Sequence, residues 1–298
     1  MSTLLPVAGS AWLPIILALG SACTFGMTAI TSRRGTMHIT PQAGVIISLG
    51  ASSCTFLALS PIWFEAEHWS SIGVWVFLIN GCFHPLLSMY FWMESIQRAG
   101  ATVASTFTAT APLFAAFTAI VFLDESITTL IFLGTLATIA GIVTLSWAPM
   151  GVSGAIKIAL LFATGAAVVR GLNHTVGRFG LGIMPNPLMA GFLSSMVAFA
   201  GSLILYRARN GRFPARPARA GVPYMILTGM LSCAGISFMY SALEVGSVVV
   251  VSPLIATYPV FTLIIAVAIG MERLSRRLLA GVALVVAGVV AISVARAL

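Results

Sequence analysis

The sequence predicts an all-α integral membrane protein of ten transmembrane helices, arranged as two inverted five-helix repeats. Three observations lead there: a composition that water cannot fold, ten apolar runs of bilayer-crossing length, and a set of motifs that occurs twice in the same order. Of the 298 residues, 59% are hydrophobic and only 7% are charged, and the mean hydropathy is +1.06. A soluble domain typically carries about 25% charged residues. Lipid is the solvent that fits.

A helix crosses a bilayer in roughly 17–25 predominantly apolar residues. Such runs fall at 12–31, 41–62, 71–92, 101–122 and 127–147, then at 154–175, 185–206, 222–243, 247–270 and 277–295. They are continuous rather than alternating, which selects helices over barrel strands. The first has no Lys or Arg before Arg33 and is too long for a secretory leader, so it reads as a mature helix. The third places Asn80, His84 and Ser88 every four residues, on one face of a regular helix. It ends in an interfacial Tyr90-Phe91-Trp92, with Glu94 and Arg98 spaced to pair. The fourth repeats that spacing with Thr102, Thr106 and Thr110.

In the second half, the sixth run ends at Thr175 with Arg170 about one turn inside, a position from which an arginine can snorkel. Asn173-His174-Thr175 matches a glycosylation sequon but touches a span, and reads as accidental. The eighth aligns Ser237, Tyr240 and Glu244 on one face, and the ninth carries Pro253 and Pro259. Cys23, Cys54, Cys82 and Cys233 all fall inside spans without paired spacing, as packing residues rather than disulfides or metal ligands. Among the connectors, only Arg207–Arg219 has the composition of a linker. Flanked by two spans, it meets anionic headgroups rather than nucleic acid.

The internal repeat is the most informative feature. YFWMESIQRAGATVAS…APLF…FLDESIT…LG…AG in the first half returns as FMYSALEVGSVVVVSP…YPVF…IGMERLS…AG…AG in the second. Gly100 aligns with Gly246; Pro112 with Pro259, Glu125 with Glu272, Gly134 with Gly281 and Gly141 with Gly288 follow, one residue further apart. Five spans is an odd number, so the second copy enters the membrane upside down.

These residues resemble the EamA family of the drug/metabolite transporter superfamily. The features are an aromatic-rich helix, then x-Gly-[Ala/Ser], a helix with a central proline, a Glu at its end and a Gly-rich fifth helix. They appear twice, over 12–147 and 152–295. The resemblance implies a multi-pass, exporter-like protein of the cytoplasmic membrane, with a cavity lined by helices 1, 3, 4 and 6, 8, 9, and it leaves the substrate open. Two departures stand out. Phe25-Gly26 replaces a frequent Trp-Gly, and the first helix carries Ser21, Thr24, Thr28 and Thr31 where small proton-coupled relatives carry a buried Glu. Proton-coupled export of cationic drugs is disfavoured.

Polar groups at membrane depth cost free energy and face the bundle interior. The candidate substrate contacts are therefore Thr24, Thr28, Asn80, His84, Ser88, Thr106, Arg170, Tyr240 and Tyr258, with Pro112, Pro253 and Pro259 as hinges. Structural alternatives stand beside them: the third-helix stripe can glue helices together, Thr106 can bond its own helix carbonyls, and Tyr240 can belong to an aromatic belt. With no acid mid-span, the expected solute is neutral, zwitterionic or anionic. Coupling to protons or another ion stays open. No cofactor and no metal are expected.

An intramembrane enzyme, such as a lipid-modifying transferase, needs an acid–base pair, an activated nucleophile or a metal cluster. The sequence has no HExxH, GxSxG or Walker motif and almost no carboxylates in its spans. A non-transporting scaffold has no use for duplicated prolines in an inverted repeat. A secondary transporter exporting a small metabolite, such as an amino acid, accounts for both. As for orientation, external termini would place twelve of the 15 basic residues on the cytoplasmic side, leaving Arg170, Arg178 and Arg296 outside it. The positive-inside rule favours that arrangement, whereas the resemblance implies cytoplasmic termini; the charge bias is the preferred reading.

Overall fold

The computed structural model describes residues 12–92, 94–95, 108, 110–146, 154–211, 219–271 and 275–297. The first repeat contributes α1 (Leu13–Thr36), α2 (Pro41–Ala58), α3 (Gly73–Trp92), α4 (Ala111–Leu123) and α5 (Thr129–Ser146). The second contributes α6 (Gly154–Ile183), α7 (Pro187–Asn210), α8 (Val222–Val245), a ninth helix split into α9a (Val248–Ile255) and α9b (Tyr258–Ala268), and α10 (Arg276–Ala297). Two short helical pieces, Ser60–Trp63 and Ala66–Ser70, join α2 to α3. In lipid every backbone group must bond within its own segment, which is why these apolar runs resolve as helices.

Local chemistry sets the helix ends. Prolines occupy the first turn of α1, α2, α4, α7, α8 and α9b, where the missing N–H has no helical acceptor to lose. Asn186 caps α7 by accepting from Met189 N at 3.0 Å, while its amide donates to Trp63 O at 2.8 Å. Gly211, at φ 69°, closes the same helix in the left-handed conformation that glycine adopts freely.

Packing establishes the inversion. A Cβ on Gly141 would lie 2.7 Å from Gly281 O, and one on Gly134 would lie 2.8 Å from Gly288 O. As the chain ascends from 134 to 141 in α5, its partner descends from 288 to 281 in α10, so the two equivalent helices are antiparallel. Each glycine also meets the repeat-mate of its partner's match, the self-complementary pattern of a two-fold axis. A second crossing obeys the same exchange. Gly26 in α1 presses on Tyr258 O and Phe261 Cβ of α9b, and Gly171 in α6 presses on Ala111 O and Phe114 Cβ of α4. The neighbour pairs α1–α8 and α3–α6, α1–α9b and α4–α6, and α2–α8 and α3–α7 are likewise exchanged.

Three expectations are corrected. The sixth helix runs two turns past Thr175, because Asn173, His174 and Thr175 do not mark an exit to water. Each finds a polar partner inside the bundle: Asn80, Ser252 and Thr118. The sequon is therefore buried in mid-helix. The ninth helix is not continuous but breaks at Ala256–Thr257. Pro112 and Pro259 consequently stand in first turns rather than inside helices. All four cysteines are free.

The last turns of α1, α3, α5, α7 and α9b share one end of the bundle, which holds most of the described arginines; the start of α1 and the end of α10 share the other. The main buried core belongs to this terminal end, drawing on Ile15, Phe77, Ala119, Leu181, Leu193, Leu243 and Val248–Val251.

The α5–α10 crossing yields a stability test. Gly141→Val must push a methyl group into the α10 backbone, and overpacking of this kind costs about 1–3 kcal/mol. Gly182→Ala meets nothing within 4 Å and should leave stability unchanged. Thermal unfolding of the purified chain in detergent should fall for the first variant and not for the second.

Candidate functional site

A cavity of about 190 Å³ lies between the repeats. Its walls come from α1 (Phe25, Thr28, Ser32), α3 (His84, Ser88, Trp92), α4 (Thr108, Ala111, Pro112), α6 (Arg170, His174), α8 (Thr228, Ser232, Met239) and the break in the ninth helix (Ser252, Tyr258, Pro259). The second helix, absent from the expected lining, adds Ser48, Leu49 and Ser52. Ser32, Ser48, Trp92 and Thr228 belong to the Arg-rich halves of their helices, so the cavity extends toward that end and stops at the core packed on the terminal side.

Local backbone chemistry shapes the wall. In α3 the residues Cys82–Leu87 form a π-helical turn, and His84 leaves helical geometry at φ −132°, ψ 124°. The residue before a proline is driven out of the α region by the ring, and π-turns recur at functional sites. The His84–Pro85 peptide bond is cis. This break corrects the expectation of one polar face. His84 and Ser88 line the cavity, whereas Asn80 turns away from it.

Asn80 joins a sealed network below the cavity. Its Nδ2 donates to Asn173 Oδ1 at 2.7 Å and to Tyr240 OH at 3.1 Å, and Tyr240 OH donates to Asn173 Oδ1 at 3.3 Å. All three side chains are buried. Tyr240 is thus neither a cavity wall nor an interfacial belt residue. Thr24 bonds the carbonyls of Gly20 and Ser21 on its own helix and does not reach the cavity, and Pro253 lies in the core rather than on the wall. Thr106 lies outside the described residues. Thr28, His84, Ser88, Arg170, Tyr258, Pro112 and Pro259 are brought together on the wall.

Arg170 is the central charge. It is the seventeenth residue of a 30-residue helix, far from either end, so the snorkelling position expected from a helix ending at Thr175 does not exist. Its guanidinium carbon lies 6.0 Å from the centroid of the Tyr258 ring, a cation–π contact. Among the described residues it has neither an ion pair nor a hydrogen-bond partner. Beside it, His174 Nδ1 and Ser252 Oγ share a hydrogen bond of 2.8 Å. Both α4 and α9b begin at the cavity, directing the positive ends of their dipoles toward it.

Three features escaped the sequence reading. Ser52 Oγ and Trp92 Nε1, on wall residues, are buried without hydrogen-bond partners. Glu125 clamps the start of α9a, Oε1 accepting from Val248 N at 2.8 Å and Oε2 from Val249 N at 3.0 Å; its duplication as Glu272 was the available clue. Glu94 pairs with Arg209 of α7 at 3.3 Å, a partner distant in sequence; Arg98, its expected partner, lies outside the described residues.

The polar network separates scaffold from substrate contact. Replacing Asn173 by Leu strips buried partners from Asn80 and Tyr240, and a buried polar group left unsatisfied costs about 1–3 kcal/mol. Unfolding in detergent should show that loss for Asn173→Leu and a similar one for Asn80→Leu. Unchanged stability with lost solute binding would instead make them site residues.

Comparison with known proteins agrees with this architecture. The model of the EamA-like transporter family matches twice, at residues 12–147 and 157–294. A crystal structure described only as that of a protein superposes with a TM-score of 0.79 at 17% identity, covering 97% of this chain and 98% of the other. At that identity the likeness concerns the fold alone. No curated protein matches the chain.

Proposed function

Because this chain belongs to the EamA-like transporter family, we propose that it is a secondary transporter exporting a small metabolite from the cytoplasm by alternating access. One observation carries the reading: a cavity between inverted repeats, extended toward one end and packed shut at the other. Sites at the interface of inverted repeats, bordered by interrupted helices, are the usual construction of secondary transporters. By the positive-inside rule the Arg-rich end faces the cytoplasm. The cavity then loads from the cytoplasm, as export from the cytoplasmic membrane requires.

The moving parts in this reading are the turns that precede Pro112 and Pro259. Thr257 holds the break in the ninth helix through its hydroxyl, which donates to Leu254 O at 2.7 Å. Thr110 stands at the equivalent place before α4. A proline in the first turn prevents the two segments from fusing into one straight helix, because it clashes with the preceding turn. Bending at the two turns alternately opens opposite ends. Pro253, inside α9a, removes a further helical hydrogen bond close to the same break.

The test is solute counterflow in liposomes containing the full chain. A transported metabolite should exchange chemically unchanged, and Pro259→Ala and Pro112→Ala should each slow exchange severalfold while the variants remain folded. Release of a chemically altered solute, or exchange at the parental rate in both variants, would overturn the reading.

A further inference from the structure

We propose that the cavity selects a small organic carboxylate, which binds on the guanidinium of Arg170, and that it rejects amines. The inference rests on the transport reading of the same cavity and narrows the class of solute. It starts from the placement of a permanent charge. A guanidinium stays protonated in proteins and cannot escape burial by titrating, as a lysine can. At membrane depth such a charge is costly and is found facing a cavity or paired with an acid. Arg170 sits near the middle of a 30-residue helix, on the wall of the cavity, without an ion pair or hydrogen bond among the described residues. Its guanidinium stands over the face of Tyr258, and the N–H fork has no acceptor among the described residues. That fork matches a carboxylate with two parallel hydrogen bonds.

The rest of the described wall supplies no opposite charge. Among the described residues none on the wall is Asp or Glu; of the seven carboxylates of the sequence, Glu65, Glu67, Glu94, Asp124, Glu125 and Glu244 lie in connectors or at helix ends, and Glu272 is outside the described residues. An ammonium group would meet Arg170 with no counter-charge beside it. The unpartnered donors on wall residues point to the same ligand chemistry. Trp92 Nε1 can only donate and, like Ser52 Oγ, is buried without a partner, so a solute acceptor that displaces the packing around Trp92 gains a hydrogen bond. The dipoles of α4 and α9b add positive potential from two sides. The cavity of about 190 Å³ has room for a compact acid.

Shape-matched probes decide the matter. Butyrate and benzoate, their amides butyramide and benzamide, and the amines butylamine and benzylamine are titrated against the purified full chain, with the shift in thermal unfolding as readout. At least one carboxylate should stabilise the protein saturably, its amide should bind at least tenfold more weakly, and the amines should give no shift. Arg170→Gln should weaken carboxylate binding at least tenfold, with Arg170→Lys between the two because it keeps the charge and loses the fork. Trp92→Phe should weaken binding severalfold. No carboxylate binding, amine binding equal to that of the acids, or parental affinity in Arg170→Gln would each overturn the proposal. If Arg170→Gln elutes aggregated, the amide and amine titrations of the parental chain decide alone. Counterflow separates this failure from that of the transport reading. Exchange of amines or neutral solutes would sink the carboxylate proposal alone, whereas carboxylate binding with no exchange of any bound probe would sink the transport reading alone.

Discussion

Two helix backbones in contact across glycine hold this molecule together as an inverted pair. At Gly134–Gly288 and Gly141–Gly281 a single methyl group would be too close to a carbonyl, so α5 and α10 pack by direct backbone approach. Between lipid-facing helices there is no hydrophobic driving force, and close approach through small residues is how such helices associate. The antiparallel sense of that contact dictates the rest. It sets the fourth and ninth helices opposite each other and directs their broken ends to one central space. Gly26 and Gly171 then seat α1 and α6 on the starts of α9b and α4, so the two helix starts are gripped by equivalent contacts.

The symmetry of the backbone is not matched by symmetry of packing. Toward the terminal end the helices interlock around Val248–Val251, Phe77, Leu181 and Leu243. The carboxylate of Glu125 ties the start of α9a there through two backbone N–H groups, a capping interaction favoured by the helix dipole. Toward the Arg-rich end the same helices diverge around the cavity. A pseudo-symmetric chain in an asymmetric arrangement has, by exchange of its halves, a second arrangement of similar contacts. That exchange is what the proposed transport cycle uses.

Much of this was legible in the residues, and the limits have physical causes. Continuous apolar runs located eight helices to within a few residues, and the duplicated glycines and prolines, with an odd number of spans in each copy, foretold the inversion. What failed were inferences that treated polarity as an exit from the membrane. Asn173, His174 and Thr175 looked like a helix end because each is costly in lipid, yet each is satisfied laterally by a residue far away in sequence. Three-dimensional pairing of this kind leaves no local trace. Likewise, a four-residue spacing implies a shared face only in an unbroken helix, and Pro85 breaks α3 between Asn80 and Ser88. The candidate site divided accordingly: Thr28, His84, Ser88, Arg170 and Tyr258 reached the cavity, while Tyr240 and Asn80 became scaffold.

The most direct test of the account follows two small residues on one helix. Ser232 lies on the cavity wall and Ala242 lies in the packed terminal half of α8. Each is changed to cysteine in a background lacking the four native cysteines, and labelled in membranes with an impermeant maleimide from either side. The account predicts that Ser232→Cys reacts from the Arg-rich side and Ala242→Cys reacts slowly from the terminal side, and that a transported solute moves the two rates in opposite directions. Rates that rise and fall together, or equal reactivity of both positions from the same side, would contradict it.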